Sequence, residues 1–233
     1  LMLVGALLPL TAFASPQLET ADASGIISDD FNRCTADVAP WQVVDPLNKL
    51  TLTTSGVGTN DAVMEMSIPG GDTLNITGKK TDAPRLMQPS ADTDFEIEAK
   101  FDSGVASKYQ VQGILIAGDD NDFLRFDFNS NGNDTRLFVG AFAPTGVISE
   151  TKFIRNDPIR PDEAANDVSP LWMRVKRVGN TWTPTYSEDG ITFRGPTDSA
   201  ASFNFPFNVT HVGVFVGTSG DPGFQPAFTA KVD

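Results

Sequence analysis

Phe95-Glu96-Ile97-Glu98-Ala99-Lys100-Phe101 alternates apolar and charged residues without a break. Successive side chains of a β-strand point to opposite faces. Phe95, Ile97, Ala99 and Phe101 would therefore share one face, and Glu96, Glu98 and Lys100 the other. The stretch predicts a strand with one face on a core and one in water. Residues 109–117 and 123–128 follow in the same style, and in the latter Leu124, Phe126 and Phe128 alternate with Phe123, Arg125 and Asp127. Beyond them come residues 136–142, then Leu171-Trp172-Met173-Arg174-Val175-Lys176, which turns at Gly179-Asn180 and returns through residues 181–186. A Gly-Asn pair between two alternating runs is a hairpin signal. Residues 209–216 and 227–232 complete the set.

Loops rich in Gly, Asn, Asp and Pro separate these runs at 118–122, 129–133, 158–167 and 219–223. No segment carries a helical amphipathic pattern, and no repeat has a solenoid or propeller period. About a dozen short strands without helices leave a sandwich or a barrel. Outward positions rich in Glu, Lys, Arg and Thr place one sheet surface in water. The expectation is an all-β, two-sheet antiparallel sandwich. With 233 residues, 40% of them hydrophobic, the chain supplies one sizeable core rather than two.

Residues 1–14 (LMLVGALLPLTAFA) carry no charge and end in Ala12-Phe13-Ala14, which reads as the apolar part and cleavage site of a signal peptide. An apolar run of about 10 residues is too short to cross a bilayer core of about 30 Å as a helix. Residues 15–25 read as a linker and 26–233 as the domain. The expected location is secreted or at the cell surface, with no membrane insertion of the mature form. One cysteine, Cys34, cannot make an internal disulfide, so the core must carry the stability. The net charge of −13 repels nucleic acid, whose binding rests on phosphate attraction, and is compatible with neutral glycans and divalent cations.

From about Ile27 onward the chain resembles a bacterial branch of the concanavalin-A-like, laminin-G-like jelly rolls, one often labelled for regulation of enolase and similar to sandwich domains at the C-termini of some xylosidases. The residues that carry the resemblance are Ser28-Asp29-Asp30-Phe31, the 94–101 strand, Gln112-Gly113-Ile114-Leu115-Ile116, Asp122-Phe123-Leu124-Arg125-Phe126-Asp127, 171–177 and Tyr186-Ser187-Glu188-Asp189-Gly190. The resemblance implies a concanavalin-A-like jelly roll and an extracellular, glycan-associated module, often appended to larger proteins. It also implies further sequence after Asp233. It does not imply an activity, because jelly rolls host many.

The first candidate site is an outward sheet face. If Leu171, Met173 and Val175 face the core, Trp172, Arg174 and Lys176 face away. Neighbouring strands are expected to add Arg125 and Asp127, Gln112, and Glu96 and Glu98. An indole ring covers the apolar face of a pyranose and charged forks take its hydroxyls, so the ligand expected there is a glycan or polysaccharide. Ordinary cross-strand ion pairs on a wet face are the alternative. Glu96 and Glu98 share a face and suggest glycoside hydrolysis, for which retaining enzymes need carboxyls about 5–5.5 Å apart. The acidic run of catalytic jelly rolls lacks its final acid here.

The second candidate is structural calcium. Asp127-Phe128-Asn129-Ser130-Asn131-Gly132 has the alternating oxygen ligands of a calcium loop, but its twelfth position is Phe138, not Glu. Asp119, Asp120 and Asp122 form the other oxygen-rich loop, to be joined with Asn129 and Asn131 if the loops meet. No cofactor is otherwise expected. One His, His211, and one Cys do not make a zinc site, and no nucleophile elbow, phosphate loop or dinucleotide fingerprint is present. The leading expectation is a non-catalytic carbohydrate-binding module. The alternatives are a structural or adhesive protein-interaction domain and a glycoside hydrolase.

Overall fold

The computed structural model describes residues 24–33, 38–77, 80–118, 122–142, 155–196, 202–220 and 223–233. The apolar leader, residues 15–23 of the linker, Cys34, Asp119 and Asp120 lie outside the described residues.

The described residues form strands and no helix. In chain order the strands are β1 (Gln42–Val44), β2 (Thr51–Ser55), β3 (Val63–Ile68), β4 (Ile76–Thr77), β5 (Lys80–Thr81), β6 (Arg85–Pro89), β7 (Phe95–Phe101) and β8 (Gln110–Gly118). They continue as β9 (Phe123–Ser130), β10 (Thr135–Phe142), β11 (Arg155–Pro158), β12 (Leu171–Val178), β13 (Thr181–Ser187), β14 (Phe203–Asn204), β15 (Val209–Thr218) and β16 (Phe228–Val232). The first sheet has the order β1-β6-β15-β8-β9-β10-β11 and the second β14-β13-β12-β7-β16-β3-β2, while β4 and β5 make a separate two-stranded sheet. Every pairing is antiparallel. The architecture is a two-sheet, jelly-roll-like sandwich, as the alternation predicts.

The inner faces interlock. Phe128 of β9 meets Phe101 of β7 and Tyr186 of β13 edge-on across the gap, with ring centroids 6.0 and 6.5 Å apart. All three rings are buried, and burying a side chain of this kind stabilises by roughly 1.5–3 kcal/mol. β7 follows its sequence pattern: Phe95, Ala99 and Phe101 are buried and Glu96 and Glu98 exposed. β12 and β13 join at Gly179-Asn180 with Val178 opposite Thr181. Gly179 takes φ +56° and Asn180 does not take a positive φ, the pattern of a turn with glycine at its first central position.

The outer faces differ. That of the second sheet is wet. That of the first carries a second, smaller core, because residues 72–77 and 80–84 lie over it and lay Ile76 and Ala83 onto Met87, Val111, Leu115, Phe123 and Phe215. Gly217 makes the crossing possible: a Cβ there would lie 2.4 Å from the Leu74 carbonyl oxygen. Thr218 N donates to that oxygen at 2.7 Å, and Leu74 N donates to Thr218 Oγ1 at 3.0 Å. All eight residues of β9 are consequently buried. No helix of the described residues is long and apolar enough to cross a membrane.

Candidate ligand-binding face

The residues expected to share one face are divided over three places. Trp172, Arg174, Glu96 and Glu98 lie on the outer face of the second sheet, where β12 pairs with β7. Arg125 and Asp127 lie on the outer face of the first sheet, on β9 between β8 and β10. Gln112 is on neither: it points between the sheets with Phe128 opposite it, fully buried, and exchanges two 2.6 Å hydrogen bonds with the Ser103 hydroxyl and carbonyl. The expected single face is therefore corrected. Period two tells which way a side chain points along a strand, but not which sheet the strand joins.

On the second sheet, charge meets charge in register. Glu98 is opposite Arg174 and Glu96 opposite Lys176. The Arg174 guanidinium holds Glu98 at 2.6 Å, reaches Glu96 at 3.5 Å and stacks 3.6 Å from the Phe193 ring centroid; Lys176 lies 3.6 Å from Glu96. Trp172 is half-buried. Gly190 lies against its ring, where a Cβ would come within 2.9 Å, and the Lys100 ammonium sits 5.9 Å from the ring centroid. The ladder continues outward through Lys231–Glu65 and the Thr53 and Ser55 hydroxyls on Glu65. The result is a face of matched cross-strand pairs.

The first sheet is built otherwise. Arg125 and Asp127 are buried. Arg125 Nε donates to Asp127 Oδ2 at 2.6 Å, and its Nη1 donates to Asn75 Oδ1 and the Ile76 carbonyl at 2.7 and 2.8 Å. Its guanidinium carbon lies 4.9, 5.5 and 5.9 Å from the ring centroids of Phe138, Phe215 and Phe142. Burial pushes the Asp127 carboxyl up, against the pull of Arg125 and of the Asn129 amide that donates to it.

Phe138 and Phe142 of β10 are the residues that sequence reading missed. Both are half-buried, with ring centroids 6.2 Å apart and planes only 22° from parallel. Gly140 stands between them and opposite Arg125. A Cβ at Gly140 would meet the two rings at 2.8 and 3.2 Å, so the rings lean together over a position that only glycine leaves clear. Asn156, exposed and opposite Phe138, accepts from Asn129 and Arg136 through its Oδ1; among the described residues its Nδ2 donates to nothing. The ledge thus combines an aromatic surface, a cation beneath it and an amide at its side. The sequence gives only a faint sign of it, since Phe138 and Phe142 alternate with Leu137, Val139 and Ala141 and both faces of β10 look apolar.

Of the residues expected to hold calcium, Asp122, Asn129 and Asn131 are described, while Asp119 and Asp120 lie outside the described residues. Asp122 and Asn131 flank the eight-residue β9 at opposite ends, roughly 30 Å apart at the rise of a strand. Asn131 Oδ1 accepts the backbone N–H groups of Asn133 and Asp134, which is turn chemistry, and Asn129 is engaged with Asp127 and Asn156. Among the described residues no three His, Cys, Asp or Glu side chains cluster as a metal site would require.

No family model and no curated protein sequence matches the chain. Solved structures do resemble it. A functionally unknown protein from Saccharomyces cerevisiae is similar over 84% of this chain and 92% of its own, at 14% identity and a TM-score of 0.55. A GH43 protein from Bacillus licheniformis is similar over 88% of this chain, which spans 37% of that protein, at 16% identity and a TM-score of 0.55. A GlcNAcα1-4Gal-releasing endo-β-galactosidase from Clostridium perfringens is similar over 95% of this chain and 64% of its own, at 8% identity and a TM-score of 0.56. At these identities the likeness is one of fold.

Proposed function

We propose that the chain is a non-catalytic carbohydrate-binding module whose sugar-binding surface is the Phe138–Phe142 ledge on the first sheet. The observation that carries this reading is the pair of near-parallel, half-buried phenyl rings over Gly140, with the Arg125 guanidinium beneath and the Asn156 amide, its oxygen held by Asn129 and Arg136, beside them. Parallel rings offer an apolar plane to the C–H face of a pyranose, and the amide offers a donor to its hydroxyls. The glycoside-acting neighbours of like fold agree with this reading. So does the resemblance to the enolase-labelled jelly-roll branch, with its extracellular, appended modules and a secreted or cell-surface location.

A second reading, contact with another protein, is favoured by the outer face of the second sheet, whose charges are already paired with one another. Hydrolysis through Glu96 and Glu98 fits least, because one guanidinium grips both carboxylates on an open face. A glycan array of the domain, run with calcium and again with a chelator, tests the proposal. Binding to at least one glycan class is expected, and loss with chelator would add a metal to the site. Silence on every glycan under both conditions would leave the protein-contact reading in its place.

A further inference from the structure

Asp127-Phe128-Asn129 reads in the sequence as the opening of a calcium loop, and in the fold it makes a different connection. Asn129 follows Asp127 on the outer face of β9, and β10 sets Arg136 opposite Asn129 and Phe138 opposite Asp127. β11 then sets Asn156 opposite Phe138. Asn129 and Asn156 stand two strands apart, and their side chains meet over β10.

The polarity of each contact follows from the groups at the two ends. The Asp127 carboxylate, whose Oδ2 is paired with Arg125, offers only acceptors, so the amide facing its Oδ1 must bring an N–H. Asn129 does so, with Nδ2 3.3 Å from Asp127 Oδ1. An amide nitrogen carries two N–H groups, and the second goes to Asn156 Oδ1 at 3.2 Å. A guanidinium has only donors, and Arg136 Nε lies 3.3 Å from the same Oδ1. The two ends therefore demand one orientation of Asn156, oxygen inward and nitrogen outward. Turned over, Asn156 would set N–H against N–H at two points, and an unmade hydrogen bond at the buried Asn129 is costly. Asn156 itself is exposed, so its outward nitrogen stands at the ledge beside Phe138.

We propose that Asn129 is a positioning residue for the Phe138–Phe142 ledge: it carries the fixed polarity of the buried Arg125–Asp127 pair outward and holds Asn156 as a hydrogen-bond donor. The proposal rests on the carbohydrate reading above and adds a rule of specificity to it. The sugar atom beside Phe138 must be an oxygen with a lone pair to give, from a hydroxyl, a ring or a carbonyl group. An ammonium group there meets N–H and is refused.

Side-chain amide proton exchange, followed by NMR on the parent domain, reads the orientation directly. In the free domain the Asn129 Nδ2 protons are expected to exchange at least tenfold more slowly than those of Asn156. Saturation with the glycan bound most tightly on the array is expected to slow the Asn156 protons at least tenfold. Asn156→Asp, which keeps the shape and lacks the N–H, is expected to lose at least tenfold in affinity. Asn129→Leu is expected to lose at least fivefold while the Phe138 and Phe142 ring resonances keep their parent shifts, and to add nothing to the loss in Asn156→Asp. Equal exchange at the two amides in the free domain, Asn156 protons that the glycan does not slow, unchanged affinity in either variant, or additive losses would each overturn the proposal. Binding lost in Phe138→Ala but kept in Asn156→Asp strikes the positioning role and leaves the ledge standing. Asn156 protons slowed by a glycan that Phe138→Ala still binds strike the ring surface and leave the positioning role. Silence on the whole array strikes both.

Discussion

Arg125 and Asp127 pair inside the protein, where Asn75 and the Ile76 carbonyl, from the segment lying over the sheet, complete the guanidinium's partners. Removing one member of a buried pair strands the other's charge, which typically costs about 3–5 kcal/mol. Asp127→Ala is expected to lower stability by that order in urea unfolding, whereas Arg174→Ala, on the wet face of the second sheet, is expected to cost about 0–1 kcal/mol. Equal losses would contradict the assignment of the two arginines to different environments. The sequence shows both as outward arginines on alternating strands. What it does not show is that outward means covered in one case and solvated in the other, because the cover comes from a crossing segment more than 40 residues away in the chain.

The strands themselves were legible wherever one face is wet. β7, β12 and β13 alternate cleanly because one side meets water, and Gly179 announces their hairpin. β8 and β9 are buried on both faces over most of their length, so their alternation carries less information. Strand order was not legible at all: nothing local to β9 says that it pairs with β8 and β10 rather than with β12. That failure split the expected ligand face and hid the Phe138–Phe142 ledge. The inner contacts between sheets give the elements their mutual fixation. Phe128→Ala, which deletes the ring that touches Phe101 and Tyr186, is expected to cost about 3–5 kcal/mol in thermal or urea unfolding. A cost below about 1 kcal/mol would contradict the packing described.

At the scale of the molecule, several carboxylates tie distant parts together. Asp92 is held below the ordinary aspartate range by the Val209 backbone N–H and by Arg177, and Glu65 by Ser55, Thr53 and Lys231. Asp189 is held down by the N–H groups of Thr192 and Ile191 and by the Ser187 hydroxyl. A carboxyl whose folded value lies below its unfolded one contributes stability that is present above the unfolded value and lost as pH falls through the folded one. The buried Asp127 has the opposite sign: its raised value favours the fold at low pH, a contribution lost as pH rises through the folded value. The three lowered groups lose their contribution as the pH falls below their ordinary values, 3.8 for Asp and 4.5 for Glu, and the melting temperature is expected to hold down to about pH 4.5 and to fall below it. A melting temperature that rises between pH 4.5 and 3 would reverse that balance.

The claim that most needs testing is where the sandwich meets its ligand. With the tightest-binding glycan from the array, titration calorimetry on the parent domain, Phe138→Ala, Phe142→Ala and Trp172→Ala decides it, each variant first shown to unfold cooperatively. Loss of at least about tenfold in affinity, or 1.4 kcal/mol, is expected for each phenylalanine variant, with Trp172→Ala unchanged. Affinity abolished by Trp172→Ala and kept by both phenylalanine variants would move the site to the second sheet and contradict the account.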